Sequence, residues 1–162
     1  MFTLFHGLIP YFTASALTKD KRIWLITFIA GMLPDLDGLP IFFDMNLYYQ
    51  IHHELFHAPI YGLILGILIA LILGKYFKLN KLNSFLAFAG GFALHGLTDV
   101  LFTYWPVKLL WPLSNEQFSF PIFSELIIPF SAILAVMLLI QIYFIAKKNQ
   151  TQKAKKQGYE KK

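Results

Sequence analysis

The chain has no cysteine, which excludes disulfide frameworks, thiolate metal sites and cysteine nucleophiles together. Charge is also scarce: charged residues make up 14% of the 162, against 57% hydrophobic residues. A soluble domain of this size would have to bury nearly all of that apolar surface, whereas helices facing lipid need not. No polar linker divides the apolar part, so one domain is expected. No basic n-region precedes the first apolar stretch, and Ala14-Ser15-Ala16, which mimics a cleavage site, is read as part of a retained helix. The net charge of +5 does not indicate nucleic acid as a partner. Seven of the fourteen basic residues lie from Lys147 onward, and a basic tail beside a membrane accounts for them.

What remains is five apolar stretches of helical length, at about 3–17, 23–43, 58–74, 83–104 and 121–146. A spanning helix needs about 20 apolar residues, so the first and third are short, and Pro34-Asp35-Leu36-Asp37 interrupts the second. The pattern predicts an all-α, multi-pass transmembrane bundle of about five helices, some short or broken. Residues 1–146 form its membrane-embedded domain. Residues 147–162, rich in Lys and Gln, are read as a disordered basic tail.

Basic residues in short loops mark the cytoplasmic side. Here they cluster at Lys19, Lys21 and Arg22, at Lys75, Lys78 and Lys81, and in the tail, with only Lys108 elsewhere. Placing all three clusters inside gives an alternation without conflict. The N-terminus is then extracytoplasmic, the C-terminus cytoplasmic, and the loops at 44–57 and 105–120 outside.

Histidines and aspartates show the opposite bias. In this topology His6, Asp35, Asp37, His52, His53, Glu54, His57, His95 and Asp99 all lie toward the outer face. An Asp at the centre of an apolar span costs on the order of 2.5–3.5 kcal/mol, so each needs a partner or a wet cavity. Lys108 is the only basic residue on that side, and a bound divalent cation would supply the missing positive charge. His95 and Asp99, four apart, project from one helix face and can reach one ion. Of Asp35 and Asp37, one can ligate while the other orients a histidine or binds a second ion. His53 and His57 share a face if their loop is helical, and His52 and His57 converge if it is not. Each feature also has a plain structural reading: a turn, a buried hydrogen bond, a wet loop and, for His6, a packing histidine. Their occurrence on one side favours a shared site. Tyr48, Tyr49, Trp105 and Trp111 read as interfacial belt residues, and Gly62, Gly66, Gly90 and Gly91 as packing positions.

Four blocks in order resemble the YdjM family of membrane-bound, metal-dependent hydrolase-like proteins: Pro34-Asp35-Leu36-Asp37, His52-His53-Glu54-Leu55-Phe56-His57-Ala58, His95-Gly96-Leu97-Thr98-Asp99 and Val107-Lys108-Leu109-Leu110-Trp111-Pro112-Leu113-Ser114. The resemblance covers most of positions 6–123. It aligns His52 and His57 with the family's outer histidines and puts His53 where the family has arginine. The Thr and Ser that flank the second histidine in the family are also absent here. The family is in turn similar to the phospholipase C and P1 nuclease group, whose zinc clusters are held by His and Asp. What the resemblance implies is a hydrolase with His52, His57, His95, Asp99 and Asp35 on the metal, and with His6 and Asp37 as further ligands or supports. Glu54 and Asp37 are the candidate general bases. Zinc suits a His/Asp set best, with manganese or iron as alternatives. The expected partners are the lipid bilayer and a lipid or phosphoester substrate. A metal-binding transporter or sensor, or a non-catalytic scaffold, is the alternative.

Overall fold

The structure, a computed structural model, describes residues 3–53 and 56–159. Among these residues it is all-α, with six α-helices and no β-strand. The apolar stretches become α1 (Thr3–Leu17), α2 (Lys21–Met32), α4 (Pro59–Tyr76), α5 (Lys81–Phe102) and α6 (Ile127–Tyr159). The helix α3 (Met45–Ile51) was not foreseen and lies inside the polar loop at 44–57. Asp44 starts it, its side chain accepting hydrogen bonds from the backbone N–H groups of Asn46 and Leu47.

Two compact units divide at Ile127. In the first, Met1–Ile127, α5 packs against α1, α2 and α4. Phe92 is wholly buried in that core with Ala30 and Phe88. Close approach is built on glycine. A Cβ on Gly91 would lie 2.6 Å from the Thr27 carbonyl oxygen, and one on Gly31 would lie 2.6 Å from that of His6. Gly62 and Gly66 also pack as expected, against Phe92 and Phe85. Gly90 does not, because nothing lies within 4 Å of where its Cβ would be.

The exposure pattern of α4 is that of a helix in lipid. Its buried positions are the small residues Gly62, Gly66 and Ala70, while Leu63, Ile64, Ile67, Leu68 and Leu71 face outward. Small residues let helix backbones meet, and large ones suit a hydrocarbon solvent. Among the described residues, four segments are long and apolar enough to cross a membrane: Lys21–Phe42, Pro59–Tyr76, Lys81–Phe102 and Ser124–Gln152. At 15 residues α1 is shorter, about 22 Å at 1.5 Å per residue.

The second span is broken where the prolines predict. After Met32 the chain tightens into a 3-10 segment, Leu33–Phe42. Pro34 and Pro40 donate no N–H, and each disfavours α geometry in the residue before it. The effect is to present Asp35 and Asp37 from a tight turn instead of a regular helix.

The second unit, Ile128–Lys162, is built on α6. Where the sequence reading ends the ordered chain at 146, the helix runs on to Tyr159. Lys, Gln and Ala are good helix formers, and a helix already nucleated in its apolar half extends at little further cost.

Candidate metal centre

Four parts of the first unit deliver polar side chains to one buried place. His6 comes from α1, and Asp35 and Asp37 from the 3-10 segment. His52, His53 and His57 come from the connection between α3 and α4, and His95 and Asp99 from α5. His6, His57, His95 and Asp99 are each no more than 1% exposed.

The conditional left by the sequence resolves in favour of the non-helical loop. His52 caps α3 in an extended conformation (ψ 132°), and His53 has φ 69°. The left-handed region is uncommon for a residue with a Cβ, and it turns the chain sharply here. His52 and His57 then converge on Asp37: His52 Nδ1 donates to Oδ1 at 2.7 Å and His57 Nδ1 to Oδ2 at 3.1 Å. The His57 backbone lies against α5 because residue 96 is glycine. A Cβ there would be 3.0 Å from the His57 carbonyl oxygen.

These bonds fix which ring nitrogen faces inward. His95 Nδ1 is 2.7 Å from the Gly31 carbonyl oxygen, an atom that only accepts, so Nδ1 carries the hydrogen. Thr98 gives its hydroxyl hydrogen to the His95 carbonyl at 2.7 Å, so it accepts from His6 Nδ1 at 2.8 Å. Three imidazoles thus commit Nδ1 outward and turn Nε2 toward carboxylates. His57 Nε2 lies 3.7 Å from Asp35 Oδ1 and 3.5 Å from Asp99 Oδ2. His95 Nε2 lies 3.5 Å and 3.1 Å from the same two atoms. His6 Nε2 is 3.2 Å from the other oxygen, Asp99 Oδ1.

A nitrogen lone pair facing a carboxylate oxygen is repulsive unless a proton or a cation lies between them. Among the described residues, His57 Nε2, His95 Nε2 and Asp99 Oδ2 are buried without a hydrogen-bond partner, a state that normally carries a desolvation penalty. The four histidine–carboxylate distances that link Asp35 Oδ1 and Asp99 Oδ2 to His57 Nε2 and His95 Nε2 run from 3.1 to 3.7 Å. Ligand atoms about 2.0–2.1 Å from a tetrahedral ion stand about 3.3–3.4 Å apart, and Asp35, His57 and His95 form a group close enough to hold one ion. His6, His95 and Asp99 form a second group of candidate ligands around the other face of Asp99.

Electrostatics in the loop separates two neighbouring histidines. Burial pushes the His53 imidazole down to about 3 against the pull of Asp99, so it is neutral. Burial also opposes charge on His57, but its contacts to Asp35 and Asp37 and the charge of Asp99 outweigh that and hold it up at about 9, so a proton on Nε2 answers the carboxylates wherever a cation does not.

The sequence-predicted residues separate into roles. Asp35, His57, His95 and Asp99 meet at one point, with His6 beside them. Asp37, named from sequence as both ligand and general base, has each oxygen on an imidazole hydrogen. That is the arrangement of a carboxylate that orients a metal-binding ring, one of the parts the sequence left open to it. His52 is the ring it holds on the outer side. Glu54, the other candidate base, lies outside the described residues.

Two more rings lie against the cluster: His53, which the sequence weighed against His52 as the partner of His57, and Trp105. His53, aligned with an arginine, is buried with Nε2 3.9 Å from Asp99 Oδ2, and its Nδ1 has no hydrogen-bond partner. Trp105, assigned to a membrane belt, packs on both His52 and His53 with ring centroids 5.2 and 5.1 Å away. The left-handed turn at His53 carries no sequence signature. Three histidines within six residues were the only available hint.

The fold and this cluster define the class: an integral, multi-pass helical membrane protein with a buried His/Asp centre. The chain matches the YdjM inner membrane protein family over residues 1–157, and it belongs to that family. No curated protein and no solved structure matches it.

Proposed function

We propose that the protein is a membrane-bound, metal-dependent hydrolase acting on a phosphoester or lipid at the extracytoplasmic boundary. The observation that carries this reading is the convergence of Asp35 Oδ1, His57 Nε2, His95 Nε2 and Asp99 Oδ2, three of them buried without a hydrogen-bond partner. A divalent ion, with zinc the best match and manganese or iron the alternatives, would supply a Lewis acid and lower the pKa of a bound water toward about 7.

The chain's own residues do the rest. Asp37 and the Gly31 carbonyl hold His57 and His95 with Nε2 inward, and Thr98 does the same for His6. Trp105 and Tyr48 cover the outer side and limit water. Asp35 offers a second oxygen, Oδ2, that is buried without a partner. It stands where a proton from an attacking water would be accepted. Orientation follows the lysines, with the N-terminus outside and the tail inside.

The purified full chain should contain a divalent metal that a His95→Ala/Asp99→Ala variant lacks. It should also hydrolyse members of a panel of phosphodiesters and phospholipids with zinc or manganese added. Equal metal in both proteins removes the site, while metal without turnover on any substrate turns the reading to a sensor. Reporter fusions after Lys78 and near Tyr48 should report cytoplasm and exterior respectively, and the reverse at both would invert the topology.

A further inference from the structure

A cleft of about 720 Å³ opens beside the cluster, in the size range of about 300–1,000 Å³ usual for small-molecule sites. Besides Thr3, its lining includes the polar side chains Asp35, Tyr48 and His52 and the apolar Ile29, Met32 and Leu39. All of these except Thr3, Tyr48 and His52 belong to the membrane-crossing segment Lys21–Phe42. Ile29 lies about one turn before the end of α2 and Leu39 four residues after Asp35, so apolar lining comes from both sides of Asp35 along this segment.

We infer that this cleft holds one acyl chain of a bilayer phospholipid with its head group at Asp35, which makes a membrane lipid the substrate of the site proposed above. The inference rests on that reading for its chemistry but not for its binding. Two observations select a lipid over a water-soluble ester. The cleft lies on a membrane-crossing segment, where lipid is the surrounding solvent. At Asp35 the cleft meets a carboxylate whose side chain is 9% exposed, a polar anchor for a head group beside otherwise largely apolar walls. A chain gains little by moving from bilayer into an equally apolar cleft. Residence therefore depends on the head group's polar contacts at Asp35, Tyr48 and His52, and the chain supplies alignment.

The test is photo-labelling, which needs no turnover. The full chain is reconstituted in phosphatidylethanolamine/phosphatidylglycerol nanodiscs with a trace of phosphatidylglycerol carrying a diazirine on its acyl chain, and labelled peptides are mapped. Labelling at Ile29, Met32 and Leu39 should exceed several-fold that at Leu68 and Leu71, which face lipid from α4. Leu39→Trp, which fills the cleft from an exposed position, should abolish the excess while metal content and thermal unfolding stay unchanged. Leu68→Trp should leave it intact. If Leu39→Trp fails to fold, Ile29→Trp replaces it. Equal labelling of cleft and α4 in the unaltered protein, or an excess that survives a folded cleft-filling variant, overturns the inference. Absence of turnover with the excess intact would instead count against the hydrolase alone.

Discussion

The two ends of the first unit treat the same side chain in opposite ways. At the lysine-rich end Asp20 caps α2, accepting from the Arg22 backbone N–H at 3.0 Å and from its guanidinium at 2.8 Å, in the open. Every demand of that carboxylate is met by a residue two positions away. At the other end Asp99 is buried and meets histidines 42 to 93 positions away in sequence: His6 at 3.2 Å, His57 at 3.5 Å and His53 at 3.9 Å, besides its helix neighbour His95 at 3.1 Å. None of these has a positive charge independent of its surroundings, as an arginine does. Thus a surface carboxylate needs only local chemistry, whereas a buried one draws its partners from across the fold.

The sharpest test makes one substitution at both ends. Asp99→Asn keeps the shape and removes the charge, and bound metal measured by elemental analysis should fall by more than the about 10–100-fold that losing an outer orienting partner brings. Hydrolysis should fall with it. Asp20→Asn should leave both unchanged. Equal loss at the two ends would show that both aspartates act only through folding, and the distinction would collapse.

Asp37→Asn ranks next. It keeps all four inward atoms but weakens the bonds that hold His52 and His57. Metal affinity, by titration against a competing chelator, should weaken about 10–100-fold while stoichiometry at saturation holds. A loss as large as that of Asp99→Asn would make Asp37 a ligand itself and return it to the place its position in Pro-Asp-Leu-Asp first implied.

How much of this was legible follows from the range of the interactions. The break at Pro34 and the shared face of His95 and Asp99 are local, set by proline chemistry and helical period, and both are found as read. The gathering of charges on one side was also legible, because burying ionisable groups in lipid is costly enough to leave a pattern. What escaped depends on contacts distant in sequence or on backbone angles. The Gly31 carbonyl that fixes the His95 tautomer lies 64 positions away and is a main-chain atom any residue would possess. The division of labour between Asp35 and Asp37 depends on which way a 3-10 turn faces. The inward place of His53 needs a positive φ that histidine rarely adopts. Alignment with an arginine pointed away from it.

A smaller effect is expected where packing alone supports the centre. Gly31→Ala places a methyl against the His6 carbonyl oxygen and Pro10, and the backbone of α1 cannot yield as a flexible side chain would. Overpacking of this kind costs about 1–3 kcal/mol, read as lower resistance to unfolding in detergent. Because Gly31 also accepts from His95 Nδ1, metal affinity should fall modestly with it. An unchanged affinity would show that His95 is held by α5 alone.

The smallest change that remains measurable lies at the lysine-rich end. Asn80 caps α5, its side chain accepting from the Asn83 backbone N–H at 2.9 Å. Asn80→Ala should cost about 1 kcal/mol of stability, yet His95 and Asp99 lie about four and five turns along the helix, so affinity for metal should hold. The contrast with Gly31→Ala is informative because the two costs overlap while their distances from the cluster differ. If the cap variant lowered metal affinity as much as Gly31→Ala does, ion binding would track global stability. If only Gly31→Ala does so, the carbonyl that orients His95 is what the ion senses.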